Sequence, residues 1–369
     1  MAKAHWPAMH RDEVPTPSLL LNLTVLRENI AIMSLFAKSR QISLRPHAKS
    51  HKSVEIARML LAAGAVGACC ATIGEAEALA AGGINGLLIT SPIAAPHMLE
   101  RLRKLLLRGA DVMVVCDHPS NARELARLAK AQGLVLSVLV EIDVGSGRTG
   151  CAEIAEAVRL AKAIAAETSL QFAGVHAYWG HLQQVMPFTE RGNQVARQAE
   201  KLRDLVGALN KAKLHPKIVT GGGTGTHWFD AGLGLFTELQ CGSFVFLDSL
   251  YGPLALTPKG NPFSPSLFVA ASVVSANQRG RVIVNAGYKA LATDSGRPIP
   301  MRGIQQGATY RFMGDEHGAI DFDGPSLPIG SSIELLTPHC DPTVNLHSRY
   351  LVVESDAVVD EWPILARGY

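Results

Sequence analysis

The 369-residue sequence has few aromatic residues, little net charge and no long apolar run. Its net charge is +3, with 35 Lys and Arg against 32 Asp and Glu, so it lacks the basic excess expected of a chain that follows a nucleic-acid backbone. No apolar run reaches the roughly 20 residues that span a bilayer. Residues 1–18 contain no apolar signal-peptide core. We therefore expect a cytoplasmic protein with neither a nucleic-acid nor a membrane partner.

The six cysteines lack the spacing of a metal-binding or disulfide framework. No CxxC pair occurs and most of the cysteines lie in apolar runs, which is typical of reduced core residues in a cytosolic protein. With 47% hydrophobic and 18% charged residues, the chain can form a large core and is not disordered. Its length suggests two domains, or one barrel with an appendage.

Short apolar runs alternate with amphipathic stretches through the first 250 residues. The eight runs are residues 42–49, 68–72, 86–93, 111–117, 135–143, 172–180, 217–226 and 237–246. Each is typical of a buried parallel strand, and helical periodicity marks the stretches at residues 121–132, 152–166 and 193–212. Eight such units predict an α/β fold, a TIM (β/α)8 barrel. The competing doubly wound sheet would require a glycine fingerprint at its first βα turn.

After residue 250 the pattern changes to strand-like runs separated by turn clusters. These runs are residues 267–276, 281–286, 308–313, 332–336 and 350–355. No helix is predicted here, so we expect a compact antiparallel β domain. We place the barrel at residues 23–250 and the β domain at residues 251–369. The N-terminal segment 1–22, with a further strand at residues 16–22, is assigned to the β domain.

Catalytic groups of a TIM barrel lie at the carboxyl ends of its strands. Lys49 ends the first strand, in the run Arg-Pro-His-Ala-Lys-Ser-His-Lys. Burial and neighbouring cations would lower its pKa and make it a nucleophilic amine, although a solvated basic turn explains that run equally well. Arg148 and Tyr178 follow the fifth and sixth strands and can face a flat ligand. The alternatives are an ordinary surface arginine and an ordinary core tyrosine.

Glycine-rich turns end the seventh and eighth strands. They read Thr-Gly-Gly-Gly-Thr-Gly-Thr at residues 220–226 and Gln-Cys-Gly-Ser at residues 240–243. Bare backbone N–H groups at these two strand ends form the usual phosphate-binding cup of a TIM barrel. The candidate cup residues are Gly222, Gly223, Thr224, Gly242 and Ser243.

His339 and Asp341 form a candidate metal-binding pair in the β domain. In an extended segment, residues two apart face the same way, so these side chains would converge and Cys340 would face away. A His/Asp pair suits Mn²⁺, Mg²⁺ or Co²⁺, whereas a His/Cys pair would suit Zn²⁺. Two protein ligands leave positions for water or substrate, as in a catalytic site. Taken alone, most such pairs are surface accidents.

A lysine, a phosphate cup, an arginine and an aromatic side chain around one barrel mouth fit pyridoxal 5′-phosphate (PLP). The run around Lys49, the two glycine turns and the segment Pro-His-Cys-Asp-Pro-Thr-Val-Asn-Leu also resemble the fold-type III PLP enzymes. Within that group they resemble the D-threonine aldolases and D-serine dehydratases, over about residues 15–365. The resemblance implies an alanine-racemase-type barrel, a homodimer, and Lys49 as the lysine that binds PLP.

The resemblance also implies a divalent metal beside the cofactor, held by His339 and Asp341. The second ligand is typically Cys, with zinc, in the dehydratases and Asp in the aldolases. Asp341 therefore favours retro-aldol cleavage of D-threonine and other β-hydroxy-D-amino acids to glycine and an aldehyde, with Mn²⁺ preferred over Mg²⁺ or Co²⁺. A D-serine or D-threo-3-hydroxyaspartate dehydratase giving a 2-oxo acid and ammonia is the alternative. An amino-acid racemase that uses Tyr288 is a weaker one.

Two positions depart from the family pattern. The aldolases carry a histidine, proposed as a base, shortly after the sixth strand, where this chain reads Gly-His-Leu-Gln-Gln at residues 180–184. His181 is the candidate for this catalytic base, and Gln184 is the alternative occupant of the family position. Asn285 stands where the family leads us to expect Asp. The additional β domain argues against a non-enzymatic PLP-binding protein, which would resemble the barrel alone.

Overall fold

Residues 9–368 are described by the computed structural model, which shows two sheets. Residues 1–8 and 369, at the ends of the predicted β domain, lie outside the described residues. Strand β1 (Ser18–Asn22) joins the C-terminal sheet, and helix α1 (Leu23–Ser39) follows it directly. Asn22 begins this helix because its Oδ1 accepts a hydrogen bond from the Val25 N–H.

Eight parallel strands form the barrel. They are β2 (Ser43–Leu44), β3 (Ala68–Cys70), β4 (Leu87–Ile89), β5 (Val112–Cys116), β6 (Leu136–Glu141), β7 (Leu170–Ala177), β8 (Ile218–Gly221) and β9 (Glu238–Leu239). Strands β3 to β9 pair in chain order, and β9 pairs with β2. A parallel bridge between His47 and Cys69 connects the end of β2 to β3, so the sheet closes as predicted.

Helices alternate with the barrel strands. They are α2 (Val54–Ala62), α3 (Ile73–Ala81), α4 (Pro96–Leu107), α5 (Pro119–Ala131), α6 (Ile154–Ala166), α7 (Phe188–Lys211) and α8 (His227–Gly232). Ser53 and Thr72 cap α2 and α3 through their hydroxyl oxygens. Helix α5 begins earlier than expected, because Pro119 occupies its first turn and His118 caps it. Within residues 9–368, no helix combines the length and apolar character needed to cross a bilayer.

A buried ion pair connects β2 to β9 inside the barrel. Arg45 donates from Nε and Nη2 to the two carboxylate oxygens of Glu238, at 2.8 and 2.9 Å. The side chains are 7% and 5% exposed. Because the two strands pair over two residues each, this bidentate contact reinforces a short backbone pairing.

The C-terminal sheet is mostly antiparallel but contains one parallel pair. Its other strands are β10 (Leu267–Gln278), β11 (Arg281–Val284), β12 (Ile299–Arg302), β13 (Thr309–Phe312), β14 (Gly318–Asp321), β15 (Ser332–Leu336), β16 (Arg349–Glu354) and β17 (Ala357–Pro363). Strand β1 lies between β10, to which it is antiparallel, and β16, to which it is parallel. The domain boundary at residue 250 stays a prediction.

Side-chain contacts hold the N-terminal segment against this sheet. Arg11 donates to both carboxylate oxygens of Glu334, at 2.7 and 2.6 Å. Asn285 accepts from the Ser272 N–H at 2.8 Å and donates from Nδ2 to Thr16 Oγ1 at 2.9 Å. An Asp at position 285, as the family pattern suggests, would lack this amide donor.

Helix α9 (Cys340–Leu346) lies in the β domain, where no helix was predicted. Pro342 fits its first turn because the N–H groups there have no helical partner, and Asp341 complements the positive end of the helix. His339 is the extended residue that precedes the helix. The prediction that His339 and Asp341 share one extended segment is therefore wrong, because the chain turns into a helix between them.

Replacing Arg45 with Met is expected to lower the free energy of unfolding by about 3–5 kcal/mol, since it leaves the Glu238 carboxylate buried without a partner. Urea unfolding measures the loss. The control Arg127→Met breaks a surface ion pair with Glu124 in which the arginine side chain is 75% exposed. We expect a loss below about 1 kcal/mol for the control. Equal losses in the two variants would contradict this account of the barrel.

Candidate active site

A cavity opens at the carboxyl ends of the barrel strands. All the predicted cofactor-binding residues line it, namely Lys49, Arg148, Tyr178, Gly222, Gly223, Thr224, Gly242 and Ser243. Lining residues to which the sequence assigned no role include Thr90, His176, Gln240 and Tyr251.

Lys49 lies in a 3-10 turn (Ala48–Ser50) that follows the first barrel strand. Its Nζ donates to Oδ2 of Asp341, so the barrel and α9 meet at the cavity. Burial disfavours the charged amine, but the charge of Asp341 and the hydrogen bond to it outweigh burial and raise the pKa of Lys49 above its ordinary value. The prediction of a lowered pKa for Lys49 is therefore wrong, because the charged group paired with its amine is a carboxylate and not a cation.

The four cationic groups expected beside this lysine are paired or neutral. Arg45 forms the buried ion pair of the barrel, and Lys52 Nζ donates to Glu75 Oε1 at 2.7 Å. Burial lowers the pKa of His47 well below its ordinary value and lowers that of His51 to about 3. Both imidazoles are therefore neutral near pH 7, and none of the four groups brings an unpaired positive charge to the amine.

The two glycine turns present backbone donors to the cavity. Within residues 9–368, some of their backbone N–H groups donate to no protein acceptor, namely those of Gly222, Thr224, Gly242 and Ser243. A Cβ at Gly222, where φ is +70°, would lie 2.5 Å from Asp230 Oδ2, and one at Gly242 would lie 2.9 Å from the His47 carbonyl oxygen. Unpaired donors around a space that excludes side chains fit a phosphate group.

A buried carboxylate, that of Asp230, supports the first glycine turn. It accepts hydrogen bonds from Trp179 Nε1 at 3.0 Å, from Thr226 Oγ1 at 2.6 Å and from the Gly223 N–H at 3.4 Å. Burial outweighs these donors and raises the pKa of Asp230 to about 7. Gln183 also donates to Thr226 Oγ1, at 2.9 Å, so the turn is held from two sides.

Arg148 and Tyr178 form one wall of the cavity. The guanidinium carbon lies 5.5 Å from the centroid of the tyrosine ring, within cation–π distance. Asp143 fixes the loop before Arg148, because its Oδ1 accepts the backbone N–H groups of residues 145–147. Burial raises the pKa of Tyr178 against the opposing charges of Lys49 and Arg148, so the phenol stays neutral.

A chain of buried polar groups runs between four barrel strands beside the cavity. His176 Nδ1 lies 3.2 Å from Glu141 Oε1, and its Nε2 lies 3.3 Å from Gln240 Oε1. Gln240 in turn donates to Thr220 Oγ1 at 3.0 Å. Burial opposes the charge of Glu141, but contacts with His176 and Thr149 hold its pKa below the ordinary value. These contacts orient the two side chains, His176 and Gln240, that reach the cavity.

The predicted metal ligands lie at the beginning of α9. His339 Nδ1 is 2.6 Å from Asp294 Oδ2, which leaves Nε2 for a metal. Burial would raise the pKa of Asp341, but Lys49 and His339 hold it at about 2. No cluster of three or more His, Cys, Asp or Glu side chains with metal-binding geometry occurs in residues 9–368. The donor set, one imidazole nitrogen and one carboxylate, fits a divalent ion that completes its coordination with water or substrate.

Asp248 connects α9 to the end of the barrel. Its Oδ2 accepts the Cys340 N–H at 2.8 Å, and its Oδ1 accepts the N–H groups of Leu250 and Tyr251, each at 3.2 Å. The residue is completely buried. One carboxylate therefore fixes both the first turn of the helix that carries Asp341 and a tyrosine that lines the cavity.

His181 does not line the cavity. It lies in the 3-10 turn Gly180–Leu182, where its side chain is exposed, and Gln184 is also exposed. The structure thus brings the other predicted site residues together around Lys49 and Asp341 but leaves His181 outside. Its role as a base stays a prediction.

Strand alternation contained a signal for two of the residues that the sequence analysis missed. Gln240 lies two residues after Glu238 and two before Gly242, and His176 lies two before Tyr178, so each shares the inward face. Tyr251 had no such signal, because it lies in an irregular loop after the last barrel strand.

Comparison with known proteins identifies the family. Residues 21–250 match the alanine racemase N-terminal domain, and residues 266–353 match a putative serine dehydratase domain. D-threonine aldolase of Arthrobacter sp is 38% identical over 96% of this chain and 93% of its own length. 3-Hydroxy-D-aspartate aldolase of Paracoccus denitrificans (strain Pd 1222) is 36% identical, with coverages of 98% and 94%.

Solved structures agree with these sequence matches. D-threonine aldolase from Filomicrobium marinum superposes with a TM-score of 0.93 at 36% identity, covering 100% of this chain and 99% of that chain. D-threo-3-hydroxyaspartate dehydratase from Delftia sp. HT23 gives 0.86 at 26% identity, with coverages of 96% and 98%. The chain therefore belongs to the alanine racemase-like, fold-type III family of PLP enzymes. Within that family it is more similar to these aldolases than to this dehydratase, and the predicted family and fold are confirmed.

Asp230→Asn is expected to weaken the pH dependence of stability between about pH 4 and pH 7. The pKa of Asp230 is about 7 in the folded protein and 3.8 without its surroundings. The folded state therefore binds the extra proton in this window, and stability falls as the pH rises through it. Urea unfolding at pH 4.5 and pH 7 should show a larger loss for the wild type than for the uncharged variant. An equal loss would contradict the assignment.

Proposed function

We propose that the protein is a PLP- and divalent-metal-dependent aldolase, a carbon–carbon lyase. Its substrates are D-threonine and other β-hydroxy-D-amino acids, which it cleaves to glycine and an aldehyde. The contact between Lys49 and Asp341 carries this proposal. In this contact the candidate cofactor lysine lies beside a candidate metal ligand. A cofactor that acts on Cα and a metal ion that acts on the β-oxygen would therefore be bound next to each other.

The proposed reaction breaks the Cα–Cβ bond of the amino acid. When bound, PLP supplies an electron sink for Cα and the metal ion supplies a Lewis acid for the β-oxygen. The β-hydroxyl loses its proton, the Cα–Cβ bond breaks, and its electron pair remains with the Cα fragment as the aldehyde leaves. A proton then adds to Cα, which gives glycine.

Some residues of this chain would bind the cofactor or the metal ion, and Lys49 would also take part in proton transfer. The glycine turns at residues 222–224 and 242–243 would hold the phosphate, and Arg148 and Tyr178 would contact the ring. Lys49 Nζ would hold the cofactor and could also hold a proton beside Cα. His339 and Asp341 hold the metal ion, for which the hard carboxylate favours Mn²⁺, with Mg²⁺ or Co²⁺ as alternatives.

A dehydratase is the second candidate, and the match of residues 266–353 to the putative serine dehydratase domain favours it. In that reaction Lys49 would remove the Cα proton and the β-hydroxyl would leave, giving a 2-oxo acid and ammonia after hydrolysis. Asp341 supports the aldolase, because the resemblance associates a Cys at this position with the dehydratases. A racemase using Tyr288 would leave His339 and Asp341 without a role. The cytoplasmic homodimer stays a prediction.

Product analysis distinguishes these candidates. Purified protein with PLP and Mn²⁺ should convert D-threonine to glycine and acetaldehyde in equal amounts, and it should leave L-threonine unchanged. Formation of 2-oxobutanoate and ammonia would identify a dehydratase instead. Formation of an epimer of the substrate at Cα would identify a racemase.

Lys49→Ala is expected to abolish covalent attachment of PLP, because it removes the amine that binds the cofactor. Borohydride reduction followed by peptide mass spectrometry measures the attachment, and the wild type should carry PLP on Lys49. The control Lys130→Ala changes an exposed lysine on the outer helix α5 and should retain the label. A labelled Lys49→Ala protein would refute the assignment.

Asp341→Asn is expected to weaken Mn²⁺ binding by the PLP-loaded protein at least about 10-fold, because it removes a charged metal ligand. Asp294→Asn should weaken it about 10- to 100-fold, since partners that orient a ligating histidine have effects of this size. Titration calorimetry measures both affinities. The control Asp323→Asn, in an exposed turn after β14, should bind Mn²⁺ like the wild type. Unchanged binding by Asp341→Asn would remove the metal assignment.

A further inference from the structure

Tyr251 lines the cavity, and the proposed function assigns it no role. The residue is 8% exposed. Within residues 9–368, its hydrogen bonds to side chains involve only its backbone N–H and carbonyl groups, and none involves its hydroxyl. Two other buried tyrosines differ in this respect. The hydroxyl of Tyr310 donates to the Ala286 carbonyl oxygen at 2.6 Å, and that of Tyr350 donates to the His51 carbonyl oxygen at 2.5 Å. A phenol kept unpaired beside a cavity is available to a ligand.

The backbone of Tyr251 is fixed on both sides. Its N–H donates to Asp248 Oδ1 at 3.2 Å, and its carbonyl oxygen accepts from Asn261 Nδ2 at 2.9 Å. The same Asp248 also accepts the Cys340 N–H at 2.8 Å. One buried carboxylate therefore holds both the backbone of Tyr251 and the first turn of α9.

The surroundings of Tyr251 keep its hydroxyl protonated. Burial raises the pKa of Tyr251 well above its ordinary value, and the negative charges of Asp248 and Asp341 raise it further. Asp248 accepts hydrogen bonds from both Tyr251 and the first turn of α9, so Tyr251 lies on the side of the cavity next to the helix that carries Asp341. The hydroxyl is thus a neutral donor on the side of the cavity where the β-oxygen is expected.

We propose that the Tyr251 hydroxyl donates a hydrogen bond to the β-oxygen of the bound amino acid. This inference rests on the proposed function for the identity of the substrate. A fixed neutral donor stabilises the negative charge that develops on this oxygen as its proton leaves. It also discriminates against analogues without a β-oxygen, because they leave the buried donor unpaired. Tyr251 thereby contributes to the selection of β-hydroxy-amino acids.

The variant Tyr251→Phe tests this proposal by comparing two ligands that differ in one hydroxyl. The holoenzyme, with PLP and Mn²⁺, is assayed for kcat/KM with D-threonine and for the inhibition constant of D-2-aminobutyrate, which has the same carbon chain without the β-hydroxyl. We expect kcat/KM for D-threonine to fall about 10- to 100-fold. The inhibition constant of D-2-aminobutyrate should stay the same or decrease. Tyr310→Phe, which removes a buried hydroxyl in the β domain, should change neither constant.

Three results would overturn the proposal. Equal losses for both ligands would place the hydroxyl at a group that they share, such as the carboxylate. A weaker PLP affinity of Tyr251→Phe would assign the hydroxyl to the cofactor, and unchanged constants would show that it contacts neither. Wild-type glycine release tests the proposed function separately. If the wild type releases none, the dissociation constants of D-threonine and D-2-aminobutyrate test Tyr251 through the same comparison.

Discussion

The contact between Lys49 and Asp341 joins the two halves of the candidate active site. Lys49 belongs to the barrel, where the glycine turns, Arg148 and Tyr178 surround it, and Asp341 belongs to the first turn of α9. Opposite charges in direct contact stabilise each other, which explains why the pKa of the amine is raised while that of the carboxyl is held at about 2. The proposed chemistry requires both the cofactor-binding residues of the barrel and the metal-binding residues at the beginning of α9. The contacts that position α9 therefore also position the metal-binding residues relative to Lys49.

The barrel could be predicted from the sequence because its signals are local. Each of the eight apolar runs overlaps a strand, and the alternation with helices determines a parallel, closed arrangement. Two features of the β domain could not be predicted, because they depend on distant partners or on short segments. The parallel pairing of β1 with β16 is set by the folded sheet, and α9 has seven residues, too few to show a helical period. The Asp-Pro pair in its first turn is the available sequence signal for the beginning of this helix.

In the candidate site, too, the residues that could be predicted are those with local sequence signals. The predicted cofactor-binding residues all line the cavity, because their positions follow from where each barrel strand ends. The pKa of Lys49 could not be inferred, since the decisive carboxylate lies 292 positions away in the sequence. Tyr251 was missed because a tertiary contact with Asp248 brings an irregular loop to the cavity. The family motif predicts His181 as a base, but the side chain lies in an exposed turn.

A crystal of the PLP-loaded protein soaked in Mn²⁺ tests the central claim, that one site combines the cofactor lysine with a metal pair. Anomalous diffraction at the manganese edge locates the ion, and the electron density at Lys49 reports the cofactor. The account predicts an anomalous peak in contact with both His339 and Asp341 and continuous density from Lys49 Nζ to PLP. A peak at other residues, or a cofactor bound away from Lys49, would contradict it.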